Sequence, residues 1–463
     1  MDNHISTIDR ISKRYLSKLI EMNDTHFDLV IVGAGFSGLE VAIQLSEKWK
    51  NQNKRILVLE QADYVGGRIR TVKDTYKGKQ FSYEAGGARF NNNHKTLISV
   101  ISRYKLKSKI IKIPSFWEFK PSSKYIKKAN TVEFDDIEDL LKSLVSYYNK
   151  PKHQTYLKTV TLYEACRDLY GDKVADFLKH SYSYYSEIKV FNGVNAIKSL
   201  SNDLSETNQF YMLKGGLSQI AINQAIHFKT KIYGKNDKRD TRLVCLKMQV
   251  GNWKYNDNQD NFTVNVLNMD TDETLKVSTT NLVLAVNGKS IRRWRSQLNI
   301  INPKINNVLS HVTSQPLMRT YAIYDSVWFK NYGKVVTDEL VKYIIPIDYK
   351  IGLIMISYTD GEYVRRMMKH IENGTQKEAI YKSLKEIFPE DKIEKNPKYL
   401  RNEYWDTGAV YWNRGANSKE MSKFMQKPSI HHRLFICGDS FSENQAWTDG
   451  ALYSAQKVSK LIK

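Results

Sequence analysis

The feature that most constrains this chain is an apolar run, Phe27–Val32, that passes directly into Gly33-Ala34-Gly35-Phe36-Ser37-Gly38 and then into a stretch of helical periodicity, Phe36–Trp49. An apolar run of that length reads as a buried parallel strand. Between a strand and a helix, the three glycines have separate duties. Gly33 permits a tight turn, Gly35 lets backbone approach a pyrophosphate, and Gly38 lets the helix pack against the strand. The helix N-terminus then offers N–H donors and a positive dipole end to phosphate. Arg55–Glu60 reads as the next buried strand, completing a βαβ unit. It ends in Glu60, a carboxylate placed to accept hydrogen bonds from a ribose. The pattern predicts a dinucleotide site; an ordinary strand–turn–helix is the alternative reading.

Gly66-Gly67-Arg68 follows shortly after Glu60. Its glycines allow a second close backbone approach, and Arg68 carries a guanidinium suited to phosphate. Alone, the triplet would be a surface turn with a solvated arginine; beside Glu60 it belongs to the nucleotide site.

Helical patterns dominate residues 95 to 200, as in Lys95–Tyr104 and Asp135–Tyr148. Strands are predicted at Asn261–Leu267, Asn281–Val286, Met318–Tyr324, Gly352–Tyr358 and Arg433–Ile436, the last followed by glycine and by a helix from Thr448. The Asn/Asp/Lys-rich stretches at 234–240 and 252–261 read as turns. Residues 1–26 form an arm in which Ile5, Ile8, Ile11, Tyr15, Leu19 and Met22 recur at helical spacing. The arm is expected to pack on the body, with membrane docking as the alternative.

With these pieces in order, the chain resembles the flavin-dependent amine oxidase superfamily: monoamine oxidases, polyamine oxidases and L-amino acid oxidases. The resemblance rests on VGAGFSGLE at 32–40, LEQADYVGGRIRT at 59–71, EAGGARF at 84–90, KGGL at 214–217, NLVLAVN at 281–287 and FICGDSFSENQAWTDGALYSA at 435–455. It implies FAD as cofactor, held by the segments around Gly33, Gly35, Phe36, Ser37, Gly38, Glu60, Gly66, Gly67, Arg68, Gly86, Gly87, Ala88, Gly438, Asp439, Trp447 and Thr448. A helix starting at Thr448 would present its N-terminus to the flavin C2 carbonyl, where negative charge gathers on reduction. Monoamine oxidases attach flavin through a cysteine before the last strand. The matching segment here, Asp406–Trp412, has none, so non-covalent FAD is expected.

Three positions bear on chemistry. Arg89 lies where L-amino acid oxidases, unlike amine oxidases, have an arginine that forks onto the substrate carboxylate, a match to guanidinium geometry; binding to a phosphate or a structural carboxylate is the alternative. Trp447 matches the aromatic that faces the flavin, with Trp412 and Tyr411 as candidates for the opposite wall or for the core. The family usually has a lysine ten residues before a tryptophan; counting back from Trp328 gives Met318, with Arg319 beside it. The missing lysine sets oxidase against dehydrogenase behaviour.

Composition narrows the class further. With 463 residues, 41% hydrophobic and 26% charged, the chain is that of a multidomain globular protein. No run reaches the ~18 apolar residues of a membrane span, and the polar N-terminus has no signal-peptide pattern. Cys166, Cys245 and Cys437 form no metal or disulfide pattern, so no metal is expected and a cytoplasmic or other reducing compartment is the default. The net charge of +22 fits either contact with a polyanion or compositional drift.

The expected fold is α/β. A three-layer, Rossmann-like FAD-binding domain is built from 27–90, 205–300 and 430–463. A discontinuous α+β substrate-binding domain is built from 91–204 and 301–429. The expected function is oxidation of the C–N bond of an L-amino acid, with O2 as acceptor. An amine or polyamine oxidase is one alternative, and a basic FAD-containing binding protein with little turnover is another. The sequence leaves the oligomeric state open, a dimer included.

Overall fold

In a computed structural model of the chain, residues 2–128, 134, 136–205, 207–230 and 241–463 are described. The expected turn at 234–240, and residue 135, lie outside them.

The strand His26–Val32 is central to a seven-stranded sheet. It pairs in parallel with Ile56–Leu59 on one side and Glu273–Leu284 on the other. Arg242–Cys245 extends the sheet beyond Ile56–Leu59, and Leu434–Ile436 pairs in parallel with Glu273–Leu284. The apolar run at 27–32 is explained by burial on both faces: Phe27, Val30 and Val32 enter one core, Leu29 and Ile31 the other. The second core packs the sheet against the helices Phe36–Lys48, Ser218–Thr230 and Thr448–Leu461.

The stretch 252–261 is only partly a turn. Met248–Asn256 and Asn261–Asn268 are antiparallel strands joined by a 3-10 turn at Asp257–Gln259. The polar residues that read as turn occupy the solvent-facing side of an edge strand whose other side buries Trp253. The N-terminal arm is a helix, Asp2–Glu21, lying across the opposite edge. Ser12 Oγ accepts from the Val244 amide at 3.1 Å and Asp9 from the Leu246 amide at 2.7 Å. Its buried face runs through Ile5, Ile8, Leu16 and Leu19, whereas Ile11 and Met22 are exposed, 46% and 73%. Among the described residues no helix is long and apolar enough to cross a membrane.

A second sheet of six strands runs Tyr399–Trp412, Val312–Ile323, Leu353–Asp360, Tyr343–Asp348, Val335–Val336 and Glu118–Phe119. Its two long strands, Val312–Ile323 and Tyr399–Trp412, pair antiparallel. Side chains alternate across a strand, so consecutive residues on them serve different sides, and this decides several site assignments.

Candidate functional site

Two adjoining cavities lie between the sheets, of about 440 and 380 Å3. They share Arg68, Gly87, Trp405, Gly408, Trp447 and Thr448 as walls.

The first is built on the glycine turn. Gly33 has φ +107°, and a Cβ there would meet the Ala285 carbonyl oxygen at 2.6 Å. A Cβ on Gly38 would lie 1.9 Å from the Gly33 oxygen, so Gly38 is where the helix closes on the turn. Gly35 is different: a Cβ there meets nothing within 4 Å, because it faces the cavity. The helix Phe36–Lys48 begins at Gly35 with no side-chain cap, and Thr448–Leu461 begins at Trp447 with none. Two uncapped N-termini therefore bear on one cavity.

Glu60 sits in the same wall. Its Oε2 accepts from the Ala34 amide at 2.8 Å and its Oε1 from the Ala62 amide at 2.9 Å, while burial pushes the carboxyl up from its ordinary value. Each oxygen keeps acceptor capacity. Arg68, expected at phosphate, forms an ion pair with Asp439, also expected at the cofactor, and donates to the Gly408 carbonyl at 3.3 Å. Gly86 and Gly87 let their segment lie on the Arg68 backbone: a Cβ on Gly86 would sit 1.7 Å from the Arg68 oxygen. Gly438, at φ +127°, turns the chain out of the last strand beside Asp439. Phe36, Ser37, Gly66 and Gly67 complete this cavity, while Gly86 and Ala88 line the second. A phosphate cradle with open space at Gly35, an acceptor carboxylate and two uncapped helix N-termini fit a dinucleotide.

The second cavity holds Arg89. Its Cζ lies 4.7 Å from the Phe210 ring centroid, 5.4 Å from Tyr184 and 5.6 Å from Trp447. The guanidinium makes no hydrogen bond or ion pair among the described residues, and faces the cavity with its donors open. Trp447 stacks with Phe210, ring centroids 6.2 Å apart. It lines both cavities.

Two sequence assignments are corrected. Met318 is not in the site: it is 1% exposed, in an apolar core with Ala322 and Trp328. Its neighbour Arg319 lines the cavity, donating Nη1 to the Glu84 carbonyl at 2.8 Å, with Cζ 4.5 Å from the Tyr358 ring. Trp412 is likewise core, 0% exposed, with its indole donating to the Ser442 carbonyl at 2.9 Å. On that strand Trp405, Ala409 and Tyr411 face the cavity. Both corrections follow from strand alternation, which the sequence reading did not phase.

The sequence reading also missed Glu84, Tyr184, Glu187, Tyr358 and Trp405. Burial pushes the Glu84 carboxyl up to about 7, against hydrogen bonds from the Leu217 amide and Thr71 hydroxyl. Burial also pushes Glu187 up to about 7, the Tyr182 hydroxyl that donates to it at 2.7 Å opposing the shift. For Glu84 the motif EAGGARF was a signal; for Glu187, in a tyrosine-rich helical segment, there was none.

With the site's geometry in place, comparison with known proteins shows what the chain is similar to. Residues 31–103 match the model of the NAD(P)-binding Rossmann-like domain, and the fold as a whole is like that of solved structures of putrescine oxidase. A structure of putrescine oxidase bound to putrescine superposes with a TM-score of 0.68 at 19% identity, covering 94% of this chain and 99% of that one. An uncharacterised protein of Acanthamoeba polyphaga mimivirus is 21% identical over 94% of both chains. L-amino-acid oxidase of Bungarus fasciatus is 25% identical over 48% of this chain and 47% of its own length. UDP-galactopyranose mutase of Mycoplasma genitalium is 36% identical over 83 residues, 18% of this chain and 19% of that protein. The chain thus spans about half of that oxidase or less, and a fifth of the mutase.

Proposed function

We propose that this protein is an FAD-dependent oxidoreductase that oxidises the C–N bond of an L-amino acid to an imine, which water hydrolyses to a 2-oxo acid and ammonia, O2 being reduced to H2O2. The observation that carries the reading is Arg89: a guanidinium with no hydrogen-bond or ion-pair partner among the described residues, in the cavity that adjoins the dinucleotide cradle. The partial likeness to L-amino-acid oxidase supports it. Segments 27–90, 205–300 and 430–463 then make the cofactor domain, and 91–204 with 301–429 the substrate domain.

FAD would be held by the turn at Gly33–Gly38, by Glu60, by the Gly66-Gly67-Arg68 loop and by Asp439, with the N-terminus at Thr448 toward the ring. When bound, it supplies the two-electron acceptor. The chain's residues do the rest. Arg89 takes the substrate carboxylate in a bidentate grip, which fixes the orientation of Cα. Trp447 and Tyr411 wall the cavity and exclude water, so the polar contacts act in a low dielectric. Arg319 keeps a positive charge beside the reacting region, and the uncapped N-terminus at Thr448 stabilises negative charge developing near it. With no cysteine in the segment Asp406–Trp412 and Cys437 buried at a strand end, attachment is non-covalent.

Anaerobic titration of the purified yellow protein with L-amino acids and with carboxylate-free amines tests the reading. Bleaching by amino acids alone is expected. Bleaching by amines alone would transfer the site to an amine oxidase, a reading favoured by the superposition on putrescine oxidase and by the Glu187 carboxylate.

A further inference from the structure

Most charged groups around the second cavity are engaged with the protein. Arg68 pairs with Asp439, Arg319 donates to the Glu84 carbonyl, and Lys334 donates to the Pro114 carbonyl. Asp360 accepts the Tyr185 amide at 3.0 Å and the Ser186 amide at 2.8 Å, one on each oxygen. Glu84 is held by Thr71 and Leu217. Lys214 is an exposed residue at the rim. Among the described residues, two charged groups remain open to the interior: Arg89, with no hydrogen-bond partner, and Glu187, whose Oε2 takes the Tyr182 hydroxyl at 2.7 Å and whose Oε1 takes none.

These two lie on the same stretch of wall. Arg89 stacks over Tyr184, the residue that precedes the short helix Tyr185–Lys189 carrying Glu187. Their charges sense one another, yet no ion pair joins them. An open guanidinium and an open carboxylate, too far apart to pair, are matched by a ligand with an anion and a cation held apart by a spacer. A neutral side chain in that place would leave the Glu187 carboxylate desolvated and unpaired, which is costly, and sites reject ligands that leave their polar groups unmatched.

We propose that Glu187 is a specificity-determining residue and that the substrate is an L-amino acid with a cationic side chain, its α-carboxylate on Arg89 and its terminal ammonium or guanidinium on Glu187. The proposal rests on the amino-acid reading above. The Cα–H and α-amino groups, where the oxidation takes place, are not the groups assigned to Glu187.

The test is anaerobic reduction of the FAD-loaded protein by L-lysine, L-arginine, L-norleucine and putrescine. L-norleucine has the carbon chain of L-lysine without the distal ammonium. The wild type should favour the basic amino acids over L-norleucine in kcat/KM. Glu187→Gln, which keeps an acceptor for Tyr182, should cut that preference by about 10- to 100-fold, the worth of a charged hydrogen bond. Glu187→Asp should keep part of it, and carries the test if the glutamine variant does not retain flavin. Equal rates on L-norleucine and L-lysine in the wild type, or equal losses on both in Glu187→Gln, would overturn this inference and leave the amino-acid reading standing. Bleaching by putrescine and by no amino acid would overturn both.

Discussion

Arg319 donates its Nη1 proton to the backbone carbonyl of Glu84 at 2.8 Å, and the same carbonyl accepts the Tyr321 hydroxyl at 2.7 Å. That contact fixes the phase of the strand Val312–Ile323, with odd-numbered Leu317, Arg319 and Tyr321 toward the cavity and Met318 behind them. Arg319, not Met318, is therefore the residue of the pair that lines the cavity, one position from where a count back from Trp328 led. Oxygen gains negative charge as it accepts electrons, and a fixed cation in a dry site favours that step. Arg319→Met should slow reoxidation of dithionite-reduced protein by about 100-fold, the scale of losing one oriented charge-stabilising group. Met318→Lys should not speed it. It would bury an unpaired ammonium in apolar core and destabilise by about 3–5 kcal/mol. Stopped-flow reoxidation and thermal melts read both; faster reoxidation in Met318→Lys would reverse the assignment.

Gly35 and Gly38 should separate cofactor binding from folding. Gly35 has φ −72°, which alanine adopts, and nothing lies within 4 Å of an added Cβ. Gly35→Ala should cost at most about 1 kcal/mol, from a poorer N-cap, while its methyl occupies the phosphate cradle and flavin content falls. Gly38→Ala places a methyl 1.9 Å from the Gly33 oxygen and should lower stability by about 1–3 kcal/mol as well. Melting curves of the flavin-free proteins and the flavin-to-protein absorbance ratio distinguish them. Full flavin content in Gly35→Ala would remove the turn from the cofactor site.

Arg89→Ala should leave flavin bound and raise KM for an amino acid by roughly 30- to 5,000-fold, the ~2–5 kcal/mol of a lost charged partner. Arg89→Lys should remain poor, because an ammonium cannot fork onto a carboxylate. Steady-state kinetics on one good amino acid suffice. Wild-type KM in Arg89→Ala would remove the arginine from the substrate site.

Acid precipitation should release the yellow colour to the supernatant. The three cysteines are buried, and burial pushes the Cys437 thiol, the one nearest the site, up to about 12, where it is no nucleophile at neutral pH. Colour held in the pellet would show a covalent link.

The nucleotide half was legible because its chemistry is made by backbone. Glycines at 33, 35 and 38 and a carboxylate at 60 are local signals, each tied to a turn or strand end that the apolar pattern also marks. In the second cavity a lining residue was legible only where a motif named it, as at Arg89. Met318 was misplaced, and Trp412 was left between wall and core, because each neighbours the residue that lines the cavity, and a one-residue error in phase sends a side chain to the opposite face. Glu187 was invisible because its place on the cavity wall with Arg89 is set by the fold, and its hydrogen-bond donor Tyr182 is one of several tyrosines in that segment. Nothing within its own helix announces a site.

The last expectation is a pH profile set by Glu187. Burial raises its carboxyl to about 7, with Asp203 pushing the same way and the Tyr182 hydroxyl and Arg89 opposing. Asp360, Tyr184 and Tyr411 complete the charged and titratable groups around it. Below about 7 the carboxyl is protonated and loses its attraction for a cation; above it the carboxylate is present. The preference for L-lysine over L-norleucine should therefore rise with pH, by up to ~10-fold per unit below about 7, and level off above. Taking the ratio of the two substrates cancels the deprotonation of the α-ammonium that both require. Glu187→Gln should flatten the ratio across the range. A ratio that is already flat in the wild type, or that still bends near 7 in Glu187→Gln, would show that another group governs the cavity's choice of cation.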